Sequence, residues 1–145
     1  ELITEISRKF GSQCMVLSIE AKKKKDGKWE VYTENGRQST GVDVIEWALE
    51  AEKREAGEVL LTSVDNEGTK KGFDYDLIKK ITNILSIPVI VSGGMGELSH
   101  LEAASEVCKL DAVAMADVLH YDRLTIGQIR EFCVSKNISV REYVK

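Results

Sequence analysis

The chain has 145 residues, 43% of them hydrophobic and 30% charged, which suits one folded domain or part of a larger one. Its formal net charge of −4 argues against a nucleic-acid-binding protein, because no basic surplus exists to neutralise phosphates. No apolar run is long enough to cross a membrane and no signal peptide is recognisable, so we expect a cytoplasmic protein.

Strands and helices alternate along the chain, which begins at Glu1 inside a helical pattern and is therefore expected to be part of a longer protein. Polar, glycine-rich loops separate these elements. The predicted elements are a helix that ends at Gly11, a strand over 14–20, a hairpin-like flap around 28–33, a helix over 43–56, a strand over 58–63, a helix over 74–85, a strand over 88–91, a helix from about 97 to 107, a strand over 111–116, a helical turn over 118–120 and a last helix over 125–136.

This alternation indicates an α/β protein with a parallel sheet covered by helices. Four strand–helix units make either half of a (β/α)8 TIM barrel or a small doubly wound sheet. A doubly wound sheet of the flavodoxin type carries its ligand loop after the first strand, whereas here a Ser-Gly-Gly loop follows the third of four. We therefore favour the half-barrel.

Polar residues follow each strand at the end where parallel sheets bind ligands. Glycines allow backbone N–H groups to approach an anion closely, and the N-terminus of the following helix favours negative charge. Carboxylates beside such a loop suit proton transfer on a phosphorylated substrate. The residues at these ends are Glu20, Thr62, Ser63, Asp65, Glu67, Ser92, Gly93, Gly94, Ala116 and Asp117.

Each acidic residue also has a structural interpretation. Glu20 could be a solvated carboxylate, Asp65 and Glu67 could stabilise the turn at Gly68, and Asp117 could cap the short helix. Glu58 shares a strand face with Thr62 but lies at the opposite end, where it either faces the barrel interior or reaches solvent.

Metal and cofactor sites have no support in the sequence. The cysteines (Cys14, Cys108 and Cys133) lack ligand spacing and are expected to be reduced, with Cys14 and Cys108 packed in the fold. The two histidines, His100 and His120, form no i, i+4 pair, and no dinucleotide-binding glycine motif is present. We expect neither a metal nor a cofactor.

Five stretches resemble the cyclase subunit of imidazole glycerol phosphate synthase, a family of histidine biosynthesis. They occur in order over nearly the whole chain and are Phe10–Gln13, Ala56–Ser63, Asp65–Asp74, Ser92–Gly96 and Asp111–His120. The resemblance implies the C-terminal half of a (β/α)8 barrel, strands five to eight, with a small hairpin inserted after the first of them. Residues 1–145 would then form a single half-barrel segment of a larger (β/α)8 domain.

The resemblance also implies an activity. Members of this family take ammonia from a glutaminase partner through the barrel interior. They use it to cleave and cyclise a bisphosphorylated aminoimidazole ribonucleotide, forming imidazole glycerol phosphate and aminoimidazole carboxamide ribotide. The resemblance places Glu20 and Glu67 at catalytic positions and Glu58 in the charged gate for ammonia. The positions that would bind substrate and phosphate are Thr62, Gly68, Ser92, Gly93, Gly94, Ala116 and Asp117.

Three positions depart from the family pattern. The family has aspartate where this chain has Glu20 and Glu67, and serine where it has Asp117, whose charge would repel a phosphate. A second hypothesis is therefore an ammonia-conducting paralogue without cyclase activity, serving an amidotransferase of amidino-sugar and surface-polysaccharide biosynthesis. A third is a stand-alone half-barrel that dimerises through its edge strands.

Overall fold

The chain folds as one mixed sheet with helices packed against it, in a computed structural model that describes residues 1–141. The helices are α1 (Leu2–Phe10), α2 (Val44–Lys53), α3 (Tyr75–Ile84), α4 (Leu98–Val107), α5 (Asp117–His120) and α6 (Ile126–Ser135). The strands are β1 (Val16–Lys23), β2 (Trp29–Thr33), β3 (Gln38–Asp43), β4 (Glu58–Ser63), β5 (Val89–Ser92) and β6 (Ala112–Val113).

The six strands lie in the order β3-β2-β1-β4-β5-β6. Strands β1, β4, β5 and β6 are parallel and follow one another in chain order, whereas β2 and β3 add an antiparallel pair at one edge. Each helical connection therefore advances in the same direction across the sheet. A doubly wound sheet would instead reverse direction at a switch point. The predicted α/β fold with a mainly parallel sheet is confirmed.

The core lies on one face of this sheet. Alternate residues of β1, β4 and β5 are buried there, as expected for a strand period of two. The other face carries Val16, Ser18, Leu60 and Ile90, which are half-buried or exposed, and Val16 is 45% exposed. The buried side chains that strands and helices share are Ile19, Ala21, Val59, Leu61, Val89, Val91, Val44, Ala48, Leu77, Ile81, Leu101 and Ala104.

Several predicted bounds were wrong. Strand β1 begins at Val16 because residues Ser12–Cys14 form a short 3₁₀ turn, in which the Met15 amide donates to the Ser12 carbonyl at 2.8 Å. Cys14 is consequently exposed instead of packed within a strand. Helix α2 ends three residues earlier than predicted, before Glu55, whose φ of 72° is left-handed.

Strand β6 is also shorter than the prediction of residues 111–116. It consists of Ala112–Val113 alone, and Asp111 just before it accepts a hydrogen bond from the Val89 amide at 3.1 Å. This short strand forms the edge opposite to the hairpin.

The β2–β3 hairpin is fixed to the helical layer by Trp29. This side chain is 3% exposed, and its indole N–H donates to the Asp74 carboxylate at 2.7 Å. The ammonium groups of Lys23 and Lys80 lie 5.1 and 4.8 Å from the ring centroid, within the range of cation–π attraction. The hairpin is therefore an anchored part of the fold.

Candidate active site

Three polar side chains meet at the carboxyl ends of neighbouring strands. Glu20 of β1 is in register with Thr62 of β4, and Thr62 is in register with Ser92 of β5. Residues in register on adjacent parallel strands point to the same face, about 4.8 Å apart. They line one cleft on the open face of the sheet, together with Asn35, Val64 and Glu67.

The Glu20 side chain is half-buried in this cleft. Its Oε2 accepts a hydrogen bond from the Gly36 backbone N–H, at 2.8 Å, and Gly36 belongs to the turn of the hairpin. This contact makes Glu20 more than a freely solvated carboxylate, which was one of the two interpretations of the sequence.

The two acidic residues of the loop after β4 have different surroundings. Asp65 Oδ2 accepts a hydrogen bond from the Lys23 amide at 2.7 Å, which fixes the loop to the end of β1. Asn66 donates to the Gly72 carbonyl at 2.8 Å and closes the loop on itself. Glu67 is exposed, lines the cleft, and makes no side-chain hydrogen bond or ion pair within residues 1–141. Asp65 thus stabilises the loop, whereas the Glu67 carboxylate faces the cleft without such a structural contact in the described residues.

The Ser92-Gly93-Gly94 loop packs directly on this neighbouring loop. Gly93 and Gly94 have φ values of 98° and 99°, a left-handed region that favours glycine. A Cβ on Gly93 would lie 2.7 Å from the Ser63 carbonyl oxygen, and one on Gly94 would lie 2.1 Å from the Gly72 carbonyl oxygen. The Gly72 amide also donates to the Gly94 carbonyl at 2.9 Å. Glycine is therefore required at both positions.

The first turn of α4 contributes less to anion binding than the sequence suggested. The backbone N–H groups of Gly96 and Glu97 donate to Nδ1 of His100, at 3.1 and 3.3 Å. Since Nδ1 is an acceptor, the neutral ring carries its proton on Nε2. His100 is thus a capping residue, and the candidate anion donors are the N–H groups of the glycine loop itself.

A second cleft adjoins the first, and Ser92 and Glu67 line both. The structure thereby brings together the residues predicted to bind phosphate, and Thr62 alone among them lines only the first cleft. The second cleft is lined by Glu67, Gly68, Ser92, Gly93, Gly94, Met95, Ala114, Met115, Ala116 and Asp117.

Asp117 does not cap the short helix, contrary to one interpretation of the sequence. The N-cap of α5 is Ala116, and Asp117 is the first residue of the helix. The Asp117 carboxylate instead forms an ion pair with the guanidinium group of Arg123, whose Cζ lies 5.0 Å from the centroid of the Tyr121 ring. The positive charge of Arg123 offsets the repulsion that Asp117 would exert on a phosphate.

Glu58 lies at the other end of the open face. It is the first residue of β4, in register with Val16, and four residues before Thr62, a separation of about 13 Å along a strand. Its side chain is half-buried and has no hydrogen bond or ion pair with any residue that the structure describes.

Sequence reasoning missed the contribution of the hairpin. Asn35 and Gly36 reach the cleft because the antiparallel β2 runs back along β1 and ends beside Glu20, where Tyr32 is its register partner. Val64 reaches it as the residue that follows β4. The Asn-Gly dipeptide signalled a turn, but nothing local signalled what that turn contacts. The pairing of Asp117 with Arg123 was missed for the same reason.

Neither a metal centre nor a membrane span is found in the described part of the chain. No group of three or more His, Cys, Asp or Glu side chains in residues 1–141 is arranged to hold a metal ion. Within the same residues, no helix has the length and apolar character needed to cross a bilayer.

Comparison with known proteins identifies the family. A family model described as histidine biosynthesis protein matches residues 1–125. The chain belongs to this family. It is 43% identical over 145 residues to imidazole glycerol phosphate synthase subunit HisF of Prochlorococcus marinus (strain AS9601), which covers 99% of this chain and 57% of the relative.

A second relative carries the same name. Imidazole glycerol phosphate synthase subunit HisF of Legionella pneumophila is 62% identical over 97 residues, which are 67% of this chain and 46% of the relative. The chain thus spans about half the length of the curated relatives that it matches. These names confirm the resemblance to the cyclase subunit and do not favour the polysaccharide-related alternative.

Proposed function

We propose that residues 1–145 form the C-terminal half, strands five to eight, of a (β/α)8 barrel. The support is geometric: four parallel strands follow one another in chain order, helices pack on one face, and the other face is open within the described residues. Closing a barrel would turn that open face inward. The lengths of the relatives, of which the chain covers 57% and 46%, agree with a segment of a larger domain.

The whole protein, in this proposal, is the cyclase subunit of imidazole glycerol phosphate synthase. It uses ammonia from a glutaminase subunit to cleave and cyclise a bisphosphorylated aminoimidazole ribonucleotide. Ammonia must lose protons as it adds to the substrate, and the departing nitrogen must gain one. Glu20 and Glu67, which line the same cleft, are the candidate groups for these transfers.

The phosphate end of the substrate is assigned to the second cleft. The backbone N–H groups of Gly93 and Gly94, with Gly68 and Ala116 beside them, are the candidate donors, without side chains in the way. Asp117 is compatible with a phosphate there because Arg123 offsets its charge. Proton-transfer groups and an anion site thereby lie side by side.

One observation carries this proposal: the register of Glu20, Thr62 and Ser92 across three neighbouring strands. It places an acid–base candidate and the start of the glycine loop on one face at one end of the sheet. Ligands of parallel sheets bind at that end. The shared name of the relatives, imidazole glycerol phosphate synthase subunit HisF, supports the cyclase chemistry.

The test uses the full-length polypeptide that contains these residues, supplied with the bisphosphorylated intermediate and an ammonium salt. We expect formation of imidazole glycerol phosphate. Glu20→Gln should lower kcat by about 10²- to 10⁴-fold, because it removes an acid–base group with little change of shape. The matched control is Glu46→Gln, an exposed carboxylate in the first turn of α2. A folded wild-type protein without turnover, or equal activity of the two variants, would contradict the proposal.

A further inference from the structure

The turn of the hairpin has an unusual backbone and lies on the candidate active site. Glu34, Asn35 and Gly36 have consecutive left-handed φ values of 54°, 55° and 75°. The Gly36 amide donates to Glu20 Oε2 at 2.8 Å. It is the sole hydrogen bond to this carboxylate among the residues that the structure describes. Oε1 consequently has no partner within them.

Val64 holds the turn in this position. Gly36 is buried, and a Cβ there would lie only 2.4 Å from Cγ1 of Val64. Val64 is itself fixed, because its amide donates to the Ala21 carbonyl at 2.9 Å. Any side chain at position 36 would therefore displace the turn and its amide from Glu20.

The far end of the hairpin is anchored by a second carboxylate. Glu30 of β2 accepts hydrogen bonds from the Ser39 hydroxyl and, at 2.8 Å, from the Gly41 amide, and the Lys24 ammonium lies at 3.5 Å. The Ser39 hydrogen bond, followed by that of Gly41, lowers the pKa of Glu30 below its ordinary value. Together with the buried Trp29, this network makes the hairpin a rigid support for its turn.

We propose that the Gly36 backbone amide is a positioning group for the Glu20 carboxylate, and that the turn with Asn35 forms one wall of the substrate cleft. The inference rests on the proposed function for its catalytic consequence. Holding Oε2 fixes a side chain that otherwise has three rotatable bonds, and it directs the reactive oxygen without a contact to the substrate. A misplacement of about 1 Å can cost roughly 100-fold in rate.

The hydrogen bond from Gly36 requires the side-chain length of a glutamate at position 20. An aspartate at position 20 would be shorter by one C–C bond, about 1.5 Å. The Gly36 nitrogen already lies 2.8 Å from Oε2, so the carboxylate of a shorter aspartate would be too far away for a hydrogen bond. The positioning device therefore belongs to this chain's glutamate and is lost in Glu20→Asp.

The first experiment detects the contact without catalysis. In the ¹⁵N-glycine-labelled full-length protein, the Gly36 amide is assigned by its disappearance in Gly36→Ala. We expect Glu20→Asp to shift this resonance upfield and to speed its hydrogen exchange by roughly tenfold or more. The Gly27 amide, which donates to the Lys24 carbonyl at 3.0 Å in the turn between β1 and β2, is the internal control and its resonance should not shift. An unchanged Gly36 resonance would overturn the proposal.

The second experiment measures the consequence with two matched glycine variants. Gly36 and Gly27 both have left-handed φ values, 75° and 81°, but no atom lies within 4 Å of a Cβ on Gly27. Gly36→Ala should lower kcat by roughly 10- to 100-fold with a smaller change in KM, whereas Gly27→Ala should leave both near wild type. Equal kcat values in these variants would refute the positioning role. Absence of wild-type turnover would refute the proposed function instead, and the amide resonance would still decide whether Gly36 holds Glu20.

Discussion

The Glu20 side chain is one methylene longer than the aspartate of the resembled family, and this extra length permits a contact in the structure. The longer side chain reaches the amide of Gly36 at 2.8 Å. Asp117 is a similar case: its negative charge lines the cleft that is proposed for the phosphate, and Arg123 pairs with that charge. In both cases the residue that departs from the family pattern has a partner within the fold.

The pairing of Asp117 with Arg123 leads to a prediction for substrate affinity. Arg123→Ala leaves the Asp117 carboxylate unpaired beside the bound phosphate, so KM for the bisphosphorylated substrate should rise about tenfold, equivalent to roughly 1.4 kcal/mol. Adding Asp117→Ser to the same protein removes the repelling charge and should restore KM. Steady-state kinetics with saturating ammonium measure both effects.

A second ion pair supplies the control for this prediction. Lys136 of the segment after α6 and Glu102 of α4 lie 2.6 Å apart, with side chains that are 41% and 33% exposed, similar to Arg123 and Asp117 at 36% and 26%. Lys136→Ala breaks an ion pair that lies outside both clefts, so it should not change KM. If Arg123→Ala behaves like Lys136→Ala, the phosphate does not encounter Asp117.

At the scale of elements, a carboxylate joins α2 to the segment that leads into β5. Glu52 Oε1 accepts hydrogen bonds from the Ser86 hydroxyl at 2.6 Å, the Ser86 amide at 2.7 Å and the Ile87 amide at 3.2 Å. The Ser86 hydroxyl is the main cause of a pKa of Glu52 below its ordinary value of 4.5. This junction helps to set the position of the strand that carries Ser92.

Glu52 therefore gives a pH-dependent prediction for stability. Because its pKa is lowered by folding, the contribution of its charge is present above the unfolded value of 4.5 and is lost as the pH falls through the folded pKa. Glu52→Gln keeps an acceptor without the charge and should reduce the free energy of unfolding by about 1 kcal/mol at pH 7. Urea titrations should show this difference shrinking towards pH 3, and Glu46→Gln should show none. A difference independent of pH would contradict the assignment.

The elements themselves were largely predictable, because their signals are local. Asp43 and Asp74 were expected to begin helices, and their side chains accept hydrogen bonds from the Ile45 and Leu77 amides at 2.8 and 3.1 Å. Strand β4 has the predicted bounds, since an apolar run fixes it. The extent of β6 was not predictable, because residues 114–116 are as apolar as the strand before them and only tertiary pairing ends it.

The site was predictable where it follows from the sheet and not where it depends on distant contacts. Any parallel arrangement brings the residues after Glu20, Thr62 and Ser92 to one edge, so their convergence was foreseeable. The approach of Gly36 to Glu20 depends on how the hairpin folds back, and that depends on the burial of Trp29 against α3. No pattern around residue 36 contains this information.

At the scale of the whole molecule, the open face has two chemically different ends. Glu20, Thr62 and Ser92 lie at the carboxyl ends of the strands, and Glu58 lies at the amino end of β4. Between them the face carries small or apolar side chains such as Ser18, Leu60 and Ile90. Closure of a barrel over this face would enclose a path from Glu58 to Glu20, which is the route that the proposed ammonia transfer requires.

This arrangement predicts that Glu58 affects the delivery of ammonia and not the chemistry. Glu58→Ala, in the full-length protein with its glutaminase subunit, should lower glutamine-dependent formation of imidazole glycerol phosphate by roughly tenfold or more, since a group at the entrance is lost. Turnover with saturating ammonium salt should stay near wild type, because Glu58 lies about 13 Å along the strand from Thr62. Glu46→Ala, on the exposed side of α2, should change neither rate. Equal losses with both nitrogen sources would mean that Glu58 supports the fold or the reaction, and an unchanged glutamine-dependent rate would remove it from the ammonia route.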